Sequence, residues 1–140
     1  MEGGLEQIYQ DGDVIINEGD KGSEMYIIKS GAVSITKETE KGETKLATLL
    51  AGDFFGEMAL FERTRRSATV RAIGETRVIV LHAGNFLYRI RQDPTFVFEI
   101  MAKMSRRIRR LNEELILLLE RSEFDAKDLE TIFTRVEFKK

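Results

Sequence analysis

From Thr95 to Arg121 the chain holds neither glycine nor proline. Within that stretch Val97, Met101, Met104, Ile108, Leu111, Leu115 and Leu118 recur at alternating spacings of four and three. Such alternation places all seven on one stripe of an α-helix. The helix it predicts is about 40 Å long, at a rise of about 1.5 Å per residue. Its last two turns are expected to project beyond a compact barrel. Two occupants suit the stripe: the chain's own barrel, or a second copy in a parallel homodimer seam over residues 97–118. Ile100, Leu117 and Leu119 lie beside the stripe and widen its apolar face.

Upstream the punctuation is the opposite. Residues 8–82 read as short β-rich runs broken by glycines, among them Val14–Ile16, Met25–Lys29 and Val33–Thr36. Lys41-Gly42 predicts a hairpin joining Ser34–Lys37 to Thr44–Leu49. Ala68–Ile73 and Arg77–Leu81 read as another pair, with Gly74-Glu75-Thr76 as the turn. Many short strands with frequent glycine turns predict a jelly roll or barrel. Gly84-Asn85-Phe86 opens a short helix that ends near Asp93-Pro94, and Asp93 can cap the long helix that follows. The expected fold class is therefore mainly β with flanking helices: a β jelly roll followed by a long C-terminal helix. Residues 1–94 form the core with its short helix and 95–121 the long helix. Residues 122–140 form a tail with one more short helix over 126–135.

Composition removes several function classes. With 140 residues the chain suits one domain, and its net charge of −2 gives no field toward nucleic acid or anionic membrane. Cysteine is absent, which excludes disulfides, thiolate catalysis and thiolate metal sites. The single histidine, His82, stands at a strand end and is expected to be structural. No nucleophile elbow, phosphate-binding P-loop or paired-histidine motif occurs, so neither catalytic nor metal residues are expected and the chain is not read as an enzyme. Asp11-Gly12-Asp13 and Glu18-Gly19-Asp20 lack calcium-loop spacing and read as turns. The N-terminus has no basic region followed by an apolar one, and the longest apolar runs are far short of a membrane span. The expectation is a soluble, cytoplasmic protein without membrane contact.

One stretch carries recognisable chemistry. Residues 55–70 set Gly56-Glu57 and Arg66-Ser67 on either side of the apolar Met58-Ala59-Leu60, which can make one helical turn. The start of such a turn presents unpaired backbone N–H groups that favour an anion. Arg66 adds a planar, permanently charged fork suited to phosphate. Glu57 when ionised only accepts hydrogen bonds, so it suits a hydroxyl. A small ligand with one phosphate and one sugar hydroxyl satisfies both ends. Against this stands a surface salt bridge for Arg66, with Glu62 as the nearest candidate.

This segment resembles the phosphate-binding cassette of the cyclic nucleotide-binding domain family. The similarity extends through Asp11-Gly12-Asp13, Glu18-Gly19-Asp20, Tyr26 to Gly31 and Ala51-Gly52-Asp53-Phe54, and covers roughly residues 8–120. It resembles the bacterial catabolite activator (Crp/Fnr-like) sensors, and is also similar to protein kinase A regulatory subunit domains. The resemblance implies a purine nucleoside 3′,5′-cyclic monophosphate as ligand, with no cofactor. Glu57 matches the acceptor of the ribose 2′-hydroxyl and Arg66 the partner of the cyclic phosphate. Backbone N–H groups near Gly56, Ala59 and Ser67 complete the anion cradle, with Met58 in the same turn. Leu46, Ala47, Leu49 and Val70 are implied as the apolar wall.

On the long helix, alignment with the activator pattern places Leu111 and Asn112 at base-contacting positions where the activator has two hydroxyl residues. Leu111 departs from that pattern, whereas Asn112 keeps a donor and an acceptor. Arg107 is implied as a link toward Glu57. The other arginines near it read as helix-surface partners of Glu113, Glu114 and Glu120. Ser67 resembles the bacterial cAMP-binding form, and cAMP is expected ahead of cGMP. The resemblance also implies homodimerisation through the long helix. Only about 20 residues follow that helix, too few for a helix-turn-helix domain. No direct DNA binding by this chain is therefore expected, and the effector is an unidentified protein. The alternatives are a ligand-independent dimerisation module, and a sensor of another phosphorylated ligand such as cGMP or a cyclic dinucleotide.

Overall fold

The computed structural model describes residues 2–121, so the helix expected over 126–135 lies outside the described residues. The chain forms two compact units, Met1–Phe96 and Val97–Lys140.

In the first unit the strands are β1 (Leu5–Tyr9), β2 (Val14–Ile16), β3 (Met25–Thr39), β4 (Gly42–Leu50), β5 (Phe54–Phe55) and β6 (Thr69–Leu81). Two helices interleave and follow them: α1 (Glu57–Glu62) and α2 (Ala83–Gln92). All pairings are antiparallel, in the order β1-β6-β3-β4, with β2 added to β6 and β5 to β3. This is the β jelly roll with flanking helices that the strand pattern predicted. The predicted hairpin at Lys41-Gly42 joins β3 to β4, with Thr39 opposite Gly42.

The predicted turn at Gly74-Glu75-Thr76 is not a turn. β6 runs through it as one 13-residue strand. Ser30 pairs with Arg77 and Ala32 with Ile73, so residues 74–76 bulge opposite Gly31. The buried Thr76 hydroxyl holds the bulge by donating to Ala32 O at 2.9 Å. Gly31, at φ 86°, has no room for a side chain: a Cβ would lie 2.5 Å from Glu75 O. The bulge bends the strand without reversing it.

Period-two alternation decides which side chains reach the core. Val33 and Ile35 stand opposite Ala72 and Val70 on one side, and opposite Leu49 and Ala47 on the other. Ile16, Tyr26, Ile28, Val33, Phe55, Val70, Val78 and Val80 form the buried cluster, with Tyr9, Ile15, Ile35 and Leu49 packed against it. The acidic turns are structural, as expected: Asp11 Oδ1 accepts from the Gly74 N–H at 2.7 Å, and Asp13 Oδ2 from the Gln10 N–H at 2.8 Å.

Helix α2 begins where the Asn85 side chain accepts from the His82 N–H at 3.0 Å and donates to Glu2 O at 3.1 Å. Asp93 then caps the next helix as predicted, accepting from the Thr95 N–H at 3.1 Å. That helix, α3, spans Thr95–Glu120 without interruption. Along it Val97, Met104 and Leu115 are half-buried, whereas Met101, Ile108, Leu111 and Leu118 each expose more than half of their surface. No helix among the described residues is long and apolar enough to cross a membrane.

Candidate functional site

Arg66 is fixed first by its backbone. Its N–H donates to Asp20 O at 2.8 Å, and its C=O accepts from the Gly19 N–H at 2.8 Å. Arg65 adds a bond from Nη1 to Gly19 O at 3.1 Å. The end of the cassette is thus stitched to the Glu18-Gly19-Asp20 turn. From there the Arg66 side chain runs inward and is only 7% exposed.

A guanidinium withdrawn from water needs acceptors on its N–H groups. Nη1 donates to Glu24 O at 3.0 Å and to Gly56 O at 3.1 Å, while Nη2 donates to Glu24 Oε2 at 3.0 Å. The Tyr26 ring lies beneath it, 5.9 Å from centroid to Cζ. Two glycines give it room. A Cβ on Gly22 would sit 2.4 Å from Nε and Nη2, and one on Gly56 would sit 3.0 Å from Nη1. Gly56 also holds φ 79°, a conformation that favours glycine.

Helix α1 starts immediately after Gly56, so Glu57 is its first residue and is half-buried. The contact from Arg66 to Gly56 O therefore brings the two ends of the cassette together across ten residues of sequence. Ala59 is buried on α1 and Met58 is about half exposed. Ser67 is exposed, and its C=O accepts from Lys37 Nζ at 2.7 Å. Val70 lies in the core and Leu49 packs against it. Leu46 occupies the β-bulge of β4 opposite Ile35–Thr36 and is exposed. On α3, within the second unit, Arg107 is half-buried and Asn112 exposed.

Glu24 was not visible as a site residue in the sequence, where Glu62 stood as the nearest acidic partner of Arg66. The observed partner is 42 positions away, just before β3, and no local pattern marks it. Its negative charge reaches two phenols. Burial pushes the Tyr26 hydroxyl above its ordinary pKa, Glu24 adds to that, and Arg66 opposes it. Burial likewise raises Tyr9, with Asp13 and Glu24 adding to the shift. Tyr26 is also stacked on Phe55, at 5.0 Å between centroids. Beside Glu24 lies a half-open cavity of about 370 Å³, lined by Gln7, Tyr26, His82 and Asn85 with the apolar Leu5 and Val80. None of the predicted ligand residues lines it.

An aromatic run leads away from the cassette. Phe61 on α1 meets Phe86 on α2 edge-on at 5.5 Å, and Phe86 meets Phe96 at the same distance. Arg89 lies over the Phe96 ring and donates from Nε to Gly3 O at 2.8 Å.

A model of the cyclic nucleotide-binding domain matches residues 6–93, which include all of the cassette and every strand but the first residue of β1. The chain belongs to the cyclic nucleotide-binding domain family. Among its relatives, the cyclic AMP receptor protein of Thermus thermophilus is 33% identical over 113 residues, 80% of this chain and 52% of that protein. The crystal structure of the Thermus thermophilus catabolite activator protein superimposes with a TM-score of 0.72 at 34% identity, over 82% of this chain and 55% of that one. A cAMP-bound PfPKA-R fragment superimposes at 0.58 with 34% identity, over 61% of this chain and 31% of that one. This cyclic nucleotide-binding domain thus spans about half the length of the bacterial relative it matches.

Proposed function

We propose that this domain is a cAMP-binding regulatory sensor without catalytic activity. In this reading Arg66 pairs with the cyclic phosphate and Glu57 accepts from the ribose 2′-hydroxyl. Backbone N–H groups of the Gly56, Ala59 and Ser67 region line the phosphate, and Met58, Leu46, Leu49 and Val70 shape the apolar wall. Asn112 offers a donor and an acceptor to the base, with Arg107 linking the helix to Glu57. The observation that carries the reading is the bond from Arg66 Nη1 to Gly56 O, which sets a buried cation next to the residue preceding Glu57. A cation held one residue along the backbone from a hydroxyl acceptor fits a ribose cyclic phosphate better than a phosphate alone. The cAMP-bound fold neighbour supports the same choice of ligand.

Occupancy is read out through helices. The Phe61–Phe86–Phe96 run offers a packed path from α1 through α2 to the first turn of α3. The exposed stripe of Met101, Ile108, Leu111 and Leu118 suits a second copy of this chain in a parallel seam. A ligand biases such an assembly only by its differential affinity for two arrangements, so the output belongs to an effector protein that distinguishes them. The reading places the domain in the cytoplasm.

A second reading, a dimerisation module that binds no nucleotide, is favoured by one observation. Arg66 already has protein acceptors on both Nη atoms. Titration with cAMP separates the two, and Glu57→Ala combined with 2′-deoxy-cAMP then tests the hydroxyl contact. The sensor reading predicts that each change alone weakens binding and that the pair is no worse than either. Independent, additive losses would remove Glu57 from the 2′-hydroxyl.

A further inference from the structure

We propose that Glu24 sets the anion affinity of this site by competing with the ligand's phosphate for Arg66. The inference rests on the reading of Arg66 as the phosphate partner. Nη1 is held by two backbone carbonyls, which no ligand can displace without moving the chain. Nη2 is held by the Glu24 carboxylate, a side chain that can swing away. The two partners also differ in access: the Glu24 side chain is 28% exposed, the Arg66 side chain 6%. The carboxylate can therefore withdraw toward water, whereas the guanidinium stays.

The structure contains a place for the withdrawn group. Glu24 lines the cavity of about 370 Å³, and its Oε1 is already 3.9 Å from His82 Nδ1 on that side. Gln7 lies on the same wall, and its amide nitrogen can donate to a carboxylate. Without withdrawal, Arg66, Glu24 and a phosphate monoanion sum to one uncompensated negative charge in a poorly hydrated place. Glu24 thus acts as a resident counter-anion. It keeps Arg66 satisfied while the site is empty, and it raises the ligand concentration needed to fill it.

The test is titration calorimetry of the full chain with cAMP and with uncharged adenosine, comparing wild type with Glu24→Gln. Glutamine keeps an acceptor for Nη2 and removes the charge. Removing one like charge from beside the phosphate strengthens anion binding on the order of tenfold or more. The expected result is that gain for cAMP, unchanged adenosine binding, a lower melting temperature without ligand and a larger ligand-induced rise. Glu24→Asp, which retains the charge, keeps the weaker affinity. Equal cAMP affinity in wild type and Glu24→Gln overturns the competition and leaves the ligand assignment standing, as does an equal gain for adenosine. Binding of cAMP by neither protein overturns the phosphate role of Arg66, and the competition with it.

Discussion

Phe86 makes edge-to-face contacts with both Phe61 and Phe96, each at 5.5 Å between ring centroids. Phe86 is thereby the joint between the cassette helix and the start of α3. Edge-to-face aromatic pairs contribute about 0.5–1.5 kcal/mol beyond the area they bury. Phe86→Leu keeps an apolar side chain and loses both pairs. The expected outcome is nucleotide affinity within about threefold of wild type, a difference of under about 1 kcal/mol. Ligand-dependent change in amide exchange along α3 is expected to disappear. Exchange protection that still responds to ligand in the variant places the path elsewhere.

Gly22 bears on the site through its missing side chain. A Cβ there meets Nε, Nη2 and Cζ of Arg66, the far end of a flexible side chain. Gly22→Ala is therefore expected to fold, with the guanidinium displaced from Glu24. Misplacing a charge-assisted hydrogen bond costs about 1.5–3 kcal/mol, so the ligand-free chain is expected to melt lower, and a guanidinium moved out of its place lowers cAMP affinity at least tenfold. A large melting shift with unchanged affinity contradicts this account of the residue.

The alkaline limit of stability carries the signature of Tyr26. Its hydroxyl is held above the ordinary value in the folded chain, chiefly by burial and then by Glu24. The folded state thus keeps the proton more tightly than the unfolded state, whose tyrosines ionise near pH 10. The corresponding stability is complete below about pH 10 and is lost as pH rises through the folded value. Tyr26→Phe removes this contribution and leaves that of Tyr9, which is raised in the same direction. Urea unfolding at pH 8 and at pH 10.5 reads the difference. The variant should lose less stability between the two than wild type, and parallel losses count against it.

Leu111 is 63% exposed on α3 and lies one step past the middle of the apolar stripe. Its side chain carries no hydrogen-bonding group, which favours a seam role over a base contact. Leu111→Glu buries an unpaired charge in any seam and costs on the order of 2–4 kcal/mol of association. Sedimentation equilibrium is expected to show a dimer for wild type and a monomer for the variant. A wild-type chain that remains monomeric at high micromolar concentration removes the second copy from the stripe.

What the sequence disclosed follows the range of the forces involved. The stripe from Val97 to Leu118 is a local periodicity, and α3 appears with nearly the predicted ends. The cassette is contiguous, so Gly56, Glu57 and Arg66 could be singled out by spacing. Gly74-Glu75-Thr76 carries the composition of a turn, yet β3 pairs on both sides of it and turns it into a bulge. Only the long-range ladder distinguishes those outcomes. Glu24 escaped for the same reason, since its bond to Arg66 spans the distance from the start of β3 to the end of the cassette.

The measurement that bears most directly on the central claim is calorimetric titration of the folded chain with cAMP and cGMP, beside Arg66→Leu. The account predicts micromolar or tighter binding of cAMP, weaker binding of cGMP, and a loss on the order of 2–4 kcal/mol in the variant, whose site has no charged partner for the phosphate. A folded wild-type chain that takes up neither nucleotide at millimolar concentration, or a variant that binds cAMP as tightly as wild type, contradicts it.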